Sequence, residues 1–184
     1  NHLFPRDATP TVFAFASPFP APAARTLEHG LSAVTLQDIR WDRCDIKSVA
    51  LLANVLLRQE AADRGADEAL LVDDGLLLEG SSSSVFLCIG GTIVTPPNDR
   101  RILPGTSRDA VLDLAHGWLP SQVCSVEARD LANCDELWIA SAGRGVLPVT
   151  TVDGSPVGSG RPGPLWTGMY HRLQRHLDDI AATP

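Results

Sequence analysis

The stretch Arg40–Glu60, RWDRCDIKSVALLANVLLRQE, joins a strand-like run to a helix-like one, and its reading decides the fold. Before it, Leu31–Leu36 has the composition of a strand. From Ser48 the apolar residues Val49, Leu52, Val55 and Leu56 recur at helical period through Ala62, with Ser48 as N-cap and Gly65 as stop. Lys47 stands at the junction. Of the chain's fifteen Lys plus Arg, fourteen are Arg. Arg stays protonated and serves poorly as a nucleophile, so this protein uses Arg where only a cation is needed. A solitary Lys beside Ile46 and ahead of an apolar run predicts an amine lowered in pKa by burial and projecting into a cleft. Codon bias toward Arg, with one surface Lys left over, accounts for the same count.

The 184 residues fit one domain with room for a substantial core. Apolar content is 44 %, and no apolar run approaches the length of a membrane span. A net charge of −7 and a pI near 5.1 exclude an electrostatic case for nucleic acid or anionic membrane. Cys44, Cys88, Cys124 and Cys134 lie far apart without a CxxC pair, and Cys88 and Cys124 sit in strand-like runs. Buried thiols are therefore expected, not metal ligands or disulfides. No signal peptide is visible, so the expected compartment is the cytoplasm.

Outward from the central stretch, residues 5–24 are rich in Pro and Ala, with one edge strand expected at Thr11–Phe15. Downstream lies a β-rich block. Glu68–Val72 and Leu76–Glu79 form a hairpin about Asp73-Asp74-Gly75, and Val85–Ile89 and Thr92–Thr95 a second about Gly90-Gly91. Ser107–Gly117 reads as an amphipathic helix, Gln122–Glu127 as a strand and Ala128–Asn133 as a short helix. Glu136–Ala140 and Gly145–Val152 are strands, and Pro162–Ile180 is a closing helix. Helices flanking a dominant set of strands, without a regular βαβ array, predict an α/β (α+β) class with a mixed sheet or pseudo-barrel.

Three segments together carry a family resemblance. Asp38-Ile39-Arg40-Trp41 and Arg43-Cys44-Asp45-Ile46-Lys47-Ser48 resemble the lysine segment of D-amino-acid aminotransferases, pyridoxal 5′-phosphate enzymes of the fold-type IV, branched-chain-aminotransferase-like class. Leu78-Glu79-Gly80-Ser81-Ser82-Ser83-Ser84 resembles that family's Glu-Gly-Ser-Ser-Ser-Asn segment, and Leu103-Pro104-Gly105-Thr106-Ser107-Arg108 its phosphate loop. The order and approximate spacing also match, from residue 1 to about Leu177. The resemblance implies the large domain of such an enzyme at 25–184, with 1–24 a remnant of the connection to a small N-terminal domain that is absent. His2 would then be the His of an Arg-x-His substrate motif.

The same resemblance implies the roles. Lys47 would form the Schiff base and act as general acid/base at the substrate Cα, although a structural Lys is the alternative. Glu79 would face the pyridine nitrogen and keep it protonated; otherwise it merely closes a hairpin. Leu103, Gly105, Thr106 and Ser107 would receive the phosphate at a helix N-terminus, where the first amides and the helix dipole favour an anion. Gly-Thr-Ser is also ordinary capping sequence. Ser83 and Ser84 would line the cofactor, Ser84 standing where the family shows Asn. Ser141 and Ala142 would supply a second phosphate contact, although Ala142-Gly143 departs from the family's Thr, and Arg144 could compensate. Arg40 would lie near the phosphate or ring hydroxyl, or else be a surface Arg at a strand end. Arg100 and Arg101 read as loop charge.

The implied partners are amino-acid and 2-oxo-acid substrates and a second copy in a homodimer, with no nucleic acid, membrane or metal. Without the small domain's phosphate Arg and its carboxylate-binding Tyr and Arg, residues 1–184 alone should bind the cofactor weakly and transaminate poorly. Within the fold, a branched-chain aminotransferase, an (R)-amine transaminase or an aminodeoxychorismate lyase would share Lys47 and Glu79. From another class, a non-catalytic dimerisation or binding domain would have no physical need of either.

Overall fold

A computed structural model describes residues 2–3 and 5–182. Asn1 and Phe4, part of the expected interdomain junction, lie outside the described residues, as do Thr183 and Pro184. After an extended, mostly exposed stretch to Ala23 come α1 (Ala24–His29), β1 (Leu31–Gln37) and α2 (Leu52–Asp63). Four strands follow in two hairpins: β2 (Glu68–Asp73) with β3 (Leu76–Gly80), and β4 (Ser84–Ile89) with β5 (Thr92–Thr95). Next are α3 (Thr106–Ala115), β6 (Ser121–Val123), β7 (Val126–Glu127) and a 3₁₀ turn at Ala128–Ala132. The chain ends with β8 (Glu136–Ser141), β9 (Gly145–Val152), β10 (Ser155–Pro156) and α4 (Pro164–Ala182).

The strands make one mixed sheet in the order β6-β5-β4-β8-β9-β1-β2-β3-β7, with β10 on β9. Pairings of β1 with β2, β1 with β9 and β5 with β6 are parallel, the others antiparallel. The sheet curls into a half-barrel flanked by helices, in keeping with the expected mixed sheet or pseudo-barrel. The central strands β4 and β8 are buried on both faces, which is why they read as continuous apolar runs, whereas β6 and β10 are exposed. In β4 and β8, Val85, Leu87, Leu137 and Ile139 fill the concave core. Phe86, Cys88, Trp138 and Ala140 alternate to the other face, against α3 and α4. A third cluster seats Leu57 and Ala61 of α2 on Leu36, Ala69 and Leu71. Each large apolar side chain so buried contributes about 1.5–3 kcal/mol.

Both tight turns form as expected. Asp74-Gly75 and Gly90-Gly91 all have positive φ, from 47° to 78°, the geometry a two-residue hairpin needs.

Several boundaries differ from the sequence reading. Thr11–Phe15 forms no strand; it is exposed, with Phe13 and Phe15 stacked on each other at 6.3 Å and no sheet edge for its amides. Gln122–Glu127 is broken into β6 and β7, which pair with opposite ends of the sheet, β5 and β3. This break leaves Cys124 exposed. The closing helix begins at Pro164, two residues late, because the Glu136 carboxylate accepts from the N–H groups of Leu165 (2.9 Å) and Trp166 (2.7 Å) and fixes where the helix starts. The helix expected from Ser48 starts only at Leu52, with Leu51 at the N-cap position. The Ser48 hydroxyl instead accepts from the Ala50 N–H at 3.3 Å, a local turn that competes with capping. Its buried face is Leu57 and Ala61, not Val49, Leu52, Val55 and Leu56.

Candidate active site

Glu79 ends the apolar run of β3 and is buried, its side chain 6 % exposed. The backbone N–H of Leu103 donates to both of its oxygens, at 3.3 and 3.4 Å. Its main partner is Arg40, whose Nη1 hydrogen-bonds Oε1. Arg40 is not the surface residue a strand-end Arg would be. Its side chain is also 6 % exposed, and it is gripped by Asp38 through Nε (3.0 Å) and Nη2 (2.8 Å) and by the Arg101 carbonyl at 3.0 Å. Burial pushes the Glu79 carboxyl above its ordinary range, while the charge and hydrogen bond of Arg40 oppose that rise. Burial would lower the Arg40 pKa, but Asp38 and Glu79 together raise it. The result is a carboxylate held by a cation that does not titrate.

This grip also positions the segment that follows. Residues 38–51 contain no helix or strand, and they are fastened at Arg40 and again where the Cys44 N–H donates to the Arg100 carbonyl at 2.7 Å. Lys47 lies in this segment and is exposed. The expected burial of its amine does not occur, because the neighbours that would have desolvated it, Ile46, Val49 and Leu51, are exposed as well. Beyond it, Asn54 of α2 donates to the Ser81 carbonyl at 2.8 Å, tying the helix to the serine run.

The serine run is the second half of the cluster. Ser81 and Ser83 are buried and donate to Glu68, with Ser83 Oγ 3.2 Å from Oε2. Glu68 has no exposed surface, and Nη2 of Arg144 reaches its Oε2 at 2.9 Å. Gly80 is required by this packing: a Cβ there would lie 2.2 Å from Ser83 Oγ. Ser84 opens β4 opposite Ala140 of β8, and its hydroxyl would lie 3.1 Å from a Cβ on Gly105. No side chain caps α3 at Gly105, so its leading N–H groups have no intrahelical acceptor. Thr106 is exposed and Ser107 half-buried beside it.

Ser84 is also what links the loops. Because Ser84 pairs with Ala140, the turn Ser141–Arg144 that follows β8 emerges at the same sheet end. Ser141 is half-buried and Ala142 exposed there. Glu79, Arg40 and Leu103 are thus in direct contact, and Ser83, Ser84, Gly105 and Ser141 gather alongside. His2 is exposed, and no hydrogen bond joins it to this cluster among the described residues. Sequence reasoning missed Asp38, Asn54 and Glu68. The one signal for Glu68 was a carboxylate leading an otherwise apolar run, Glu68-Ala69-Leu70-Leu71-Val72. Among the described residues no group of three or more His, Cys, Asp and Glu could hold a metal ion, and no helix is long and apolar enough to cross a membrane.

Residues 3–152 match the family Amino-transferase class IV. The chain belongs to this family. As a class IV aminotransferase family member it is 40 % identical over 178 residues to a D-alanine aminotransferase of Bacillus licheniformis, covering 96 % of this chain and 62 % of that protein. It is 34 % identical to a D-alanine aminotransferase of Staphylococcus haemolyticus, covering 97 % and 64 %. Among solved structures, a putative branched-chain amino acid aminotransferase from Thermotoga maritima superposes with a TM-score of 0.76 at 28 % identity, covering 86 % of this chain and 58 % of that one. The Escherichia coli branched-chain amino acid aminotransferase gives 0.74 at 28 %, covering 84 % and 54 %. The chain therefore spans less than two thirds of the curated relatives it matches.

Proposed function

We propose that this chain is the cofactor-carrying part of a pyridoxal 5′-phosphate-dependent aminotransferase that moves an amino group between a D-amino acid and a 2-oxo acid. The observation that carries the reading is the Arg40–Glu79 pair, which fastens the segment bearing the chain's one Lys to a buried carboxylate. The residues fit the group. Gly105 lacks the Cβ that would crowd Ser84, and the amides of α3 behind it are uncapped, a cradle suited to a phosphate.

When bound, the cofactor supplies an electrophilic carbonyl and a ring that accepts electron density. Lys47 Nζ would hold it covalently and move the proton at the substrate Cα. Glu79, kept in place by Arg40 and the Leu103 N–H, would accept a hydrogen bond from the ring nitrogen and so keep it protonated. Leu103, Gly105, Thr106 and Ser107 would bind phosphate at the head of α3, with Ser84, Ser141 and Ala142 along its side, while the Ser83 hydroxyl is taken up by Glu68. His2 would serve the substrate carboxylate.

We assign residues 25–184 to the large domain and 1–24 to its connection with a further domain, and we expect a homodimer. The four free cysteines, Cys88 and Cys134 buried among them, suit a reducing compartment, in keeping with the cytoplasm.

Incubation with pyridoxal phosphate, borohydride reduction and peptide mapping tests the reading. A pyridoxyl adduct on Lys47 is expected, and folded protein that takes none at millimolar cofactor overturns it. The structural neighbours favour one second reading, a branched-chain aminotransferase. D-alanine added before reduction should suppress the label while L-leucine should not; the opposite order favours that second reading.

A further inference from the structure

Glu68 is a carboxylate with no exposed surface at the start of β2, a position where an apolar residue of similar size would cost less to bury. Four donors meet it: the hydroxyls of Ser81 and Ser83, the Ala69 N–H at 3.1 Å and Nη2 of Arg144 at 2.9 Å. Glu68 therefore orients the serine loop and one edge of a guanidinium in the same act. The rest of Arg144 is not committed. Nη2 also lies 3.4 Å from Ser82 Oγ, but Nε and Nη1 have no acceptor among the described residues, and the side chain is 30 % exposed.

Arg144 closes the turn after β8, its N–H donating to the Ser141 carbonyl at 3.2 Å. That turn leaves the sheet at the Ser84–Ala140 register, and Ser84 abuts Gly105 at the uncapped start of α3. A fixed guanidinium with a free edge and a row of open helix amides thus occupy one sheet end. Each alone favours an anion. A phosphoryl group has oxygens enough to meet both, whereas a carboxylate has only two.

We infer that Arg144 is a phosphate-binding residue of this site and that Glu68 is its positioning residue. The inference rests on the cofactor reading above. The two serine hydroxyls serve Glu68 here, so the contact of the serine loop with the anion would run through Ser82, Ser84 and Arg144.

The test compares pyridoxal phosphate with pyridoxal, which lacks the phosphate, by the concentration that half-labels Lys47 after borohydride reduction. Arg144→Gln should raise that concentration about tenfold to a hundredfold for pyridoxal phosphate, the worth of a charged hydrogen bond, and leave the value for pyridoxal unchanged. Because this variant strands the Glu68 charge, the double variant Arg144→Gln with Glu68→Gln is measured beside it. It should recover melting temperature but not affinity for pyridoxal phosphate. Equal losses for both compounds in the folded double variant, or no loss for either, overturn the inference and leave the cofactor reading standing. A wild-type chain that labels with neither compound overturns both.

Discussion

The serine loop and the lysine segment flank the same Glu79, and they are inverted with respect to hydropathy. Ser81, Ser83 and Ser84 are polar and buried. Along the lysine segment and the start of α2 it is the apolar side chains that are open: Val49 is 97 % exposed, Leu52 72 %, and Trp41, Leu51, Val55 and Leu56 more than half. Ser81 and Ser83 can be buried because Glu68 accepts from both hydroxyls, which removes the main cost of leaving water, and Ser84 is held by its place in the ladder opposite Ala140. The apolar side chains are exposed because residues 38–51 are held by polar anchors, the Asp38 and Cys44 amides and the Arg40 side chain, and because α2 turns only Leu57 and Ala61 to the core. Burial here follows hydrogen-bond completion and position in the sheet, and composition ranks the two regions the wrong way round.

Several measurements would break that contrast or sharpen it. The largest effect should come from Arg40→Leu, which strands the buried carboxylates of Asp38 and Glu79; denaturant unfolding should show a loss of about 3–5 kcal/mol. If the loss is under about 1 kcal/mol, a surface-type ion pair, the anchor assigned to Arg40 is wrong. Gly80→Ala forces a methyl against Ser83 Oγ and disturbs the Glu68 cluster, so the same experiment should register about 1–3 kcal/mol.

The buried thiols give a pH signature from the core behind the site. Burial raises the Cys88 thiol and pushes Cys134 from its ordinary 9.0 up to about 11. A group whose pKa is raised on folding contributes its full stability below the ordinary value and loses it as pH rises through the folded value. Stability should therefore decline between about pH 9 and 11, and Cys134→Ala should flatten the decline. At neutral pH a thiol reagent should modify Cys124 first, with Cys88 and Cys134 silent until unfolding. The smallest effect belongs to the lysine segment. Leu52→Ser in the isolated chain should change stability by no more than about 0.5 kcal/mol, and a multi-kcal/mol loss would mean that this face is packed after all.

Much of the strand pattern was legible from residues alone. Asp74-Gly75 and Gly90-Gly91 can only be tight turns, and Gly145–Val152 is read to the residue, because turn chemistry and apolar runs are local properties. The resemblance over Asp38–Ser48, Leu78–Ser84 and Leu103–Arg108 pointed to a family that the comparisons bear out. The helix after Lys47 was legible as a helix but not in its facing. Its first two turns are apolar nearly all round, so period alone could not choose Leu57 and Ala61 over Leu52 and Leu56.

By itself, then, the sequence determined the class, the hairpins, the order of the three segments and the one lysine among fourteen arginines. Only the tertiary structure decided that Arg40 belongs to Glu79, 39 positions away, that Glu68 and Arg144 meet across 76, and that Lys47 stands exposed. The reason is physical. Turns and strand composition are set by neighbouring residues, whereas the partner of a buried charge is whichever group the sheet order β4-β8-β9-β1-β2-β3 brings to the same end.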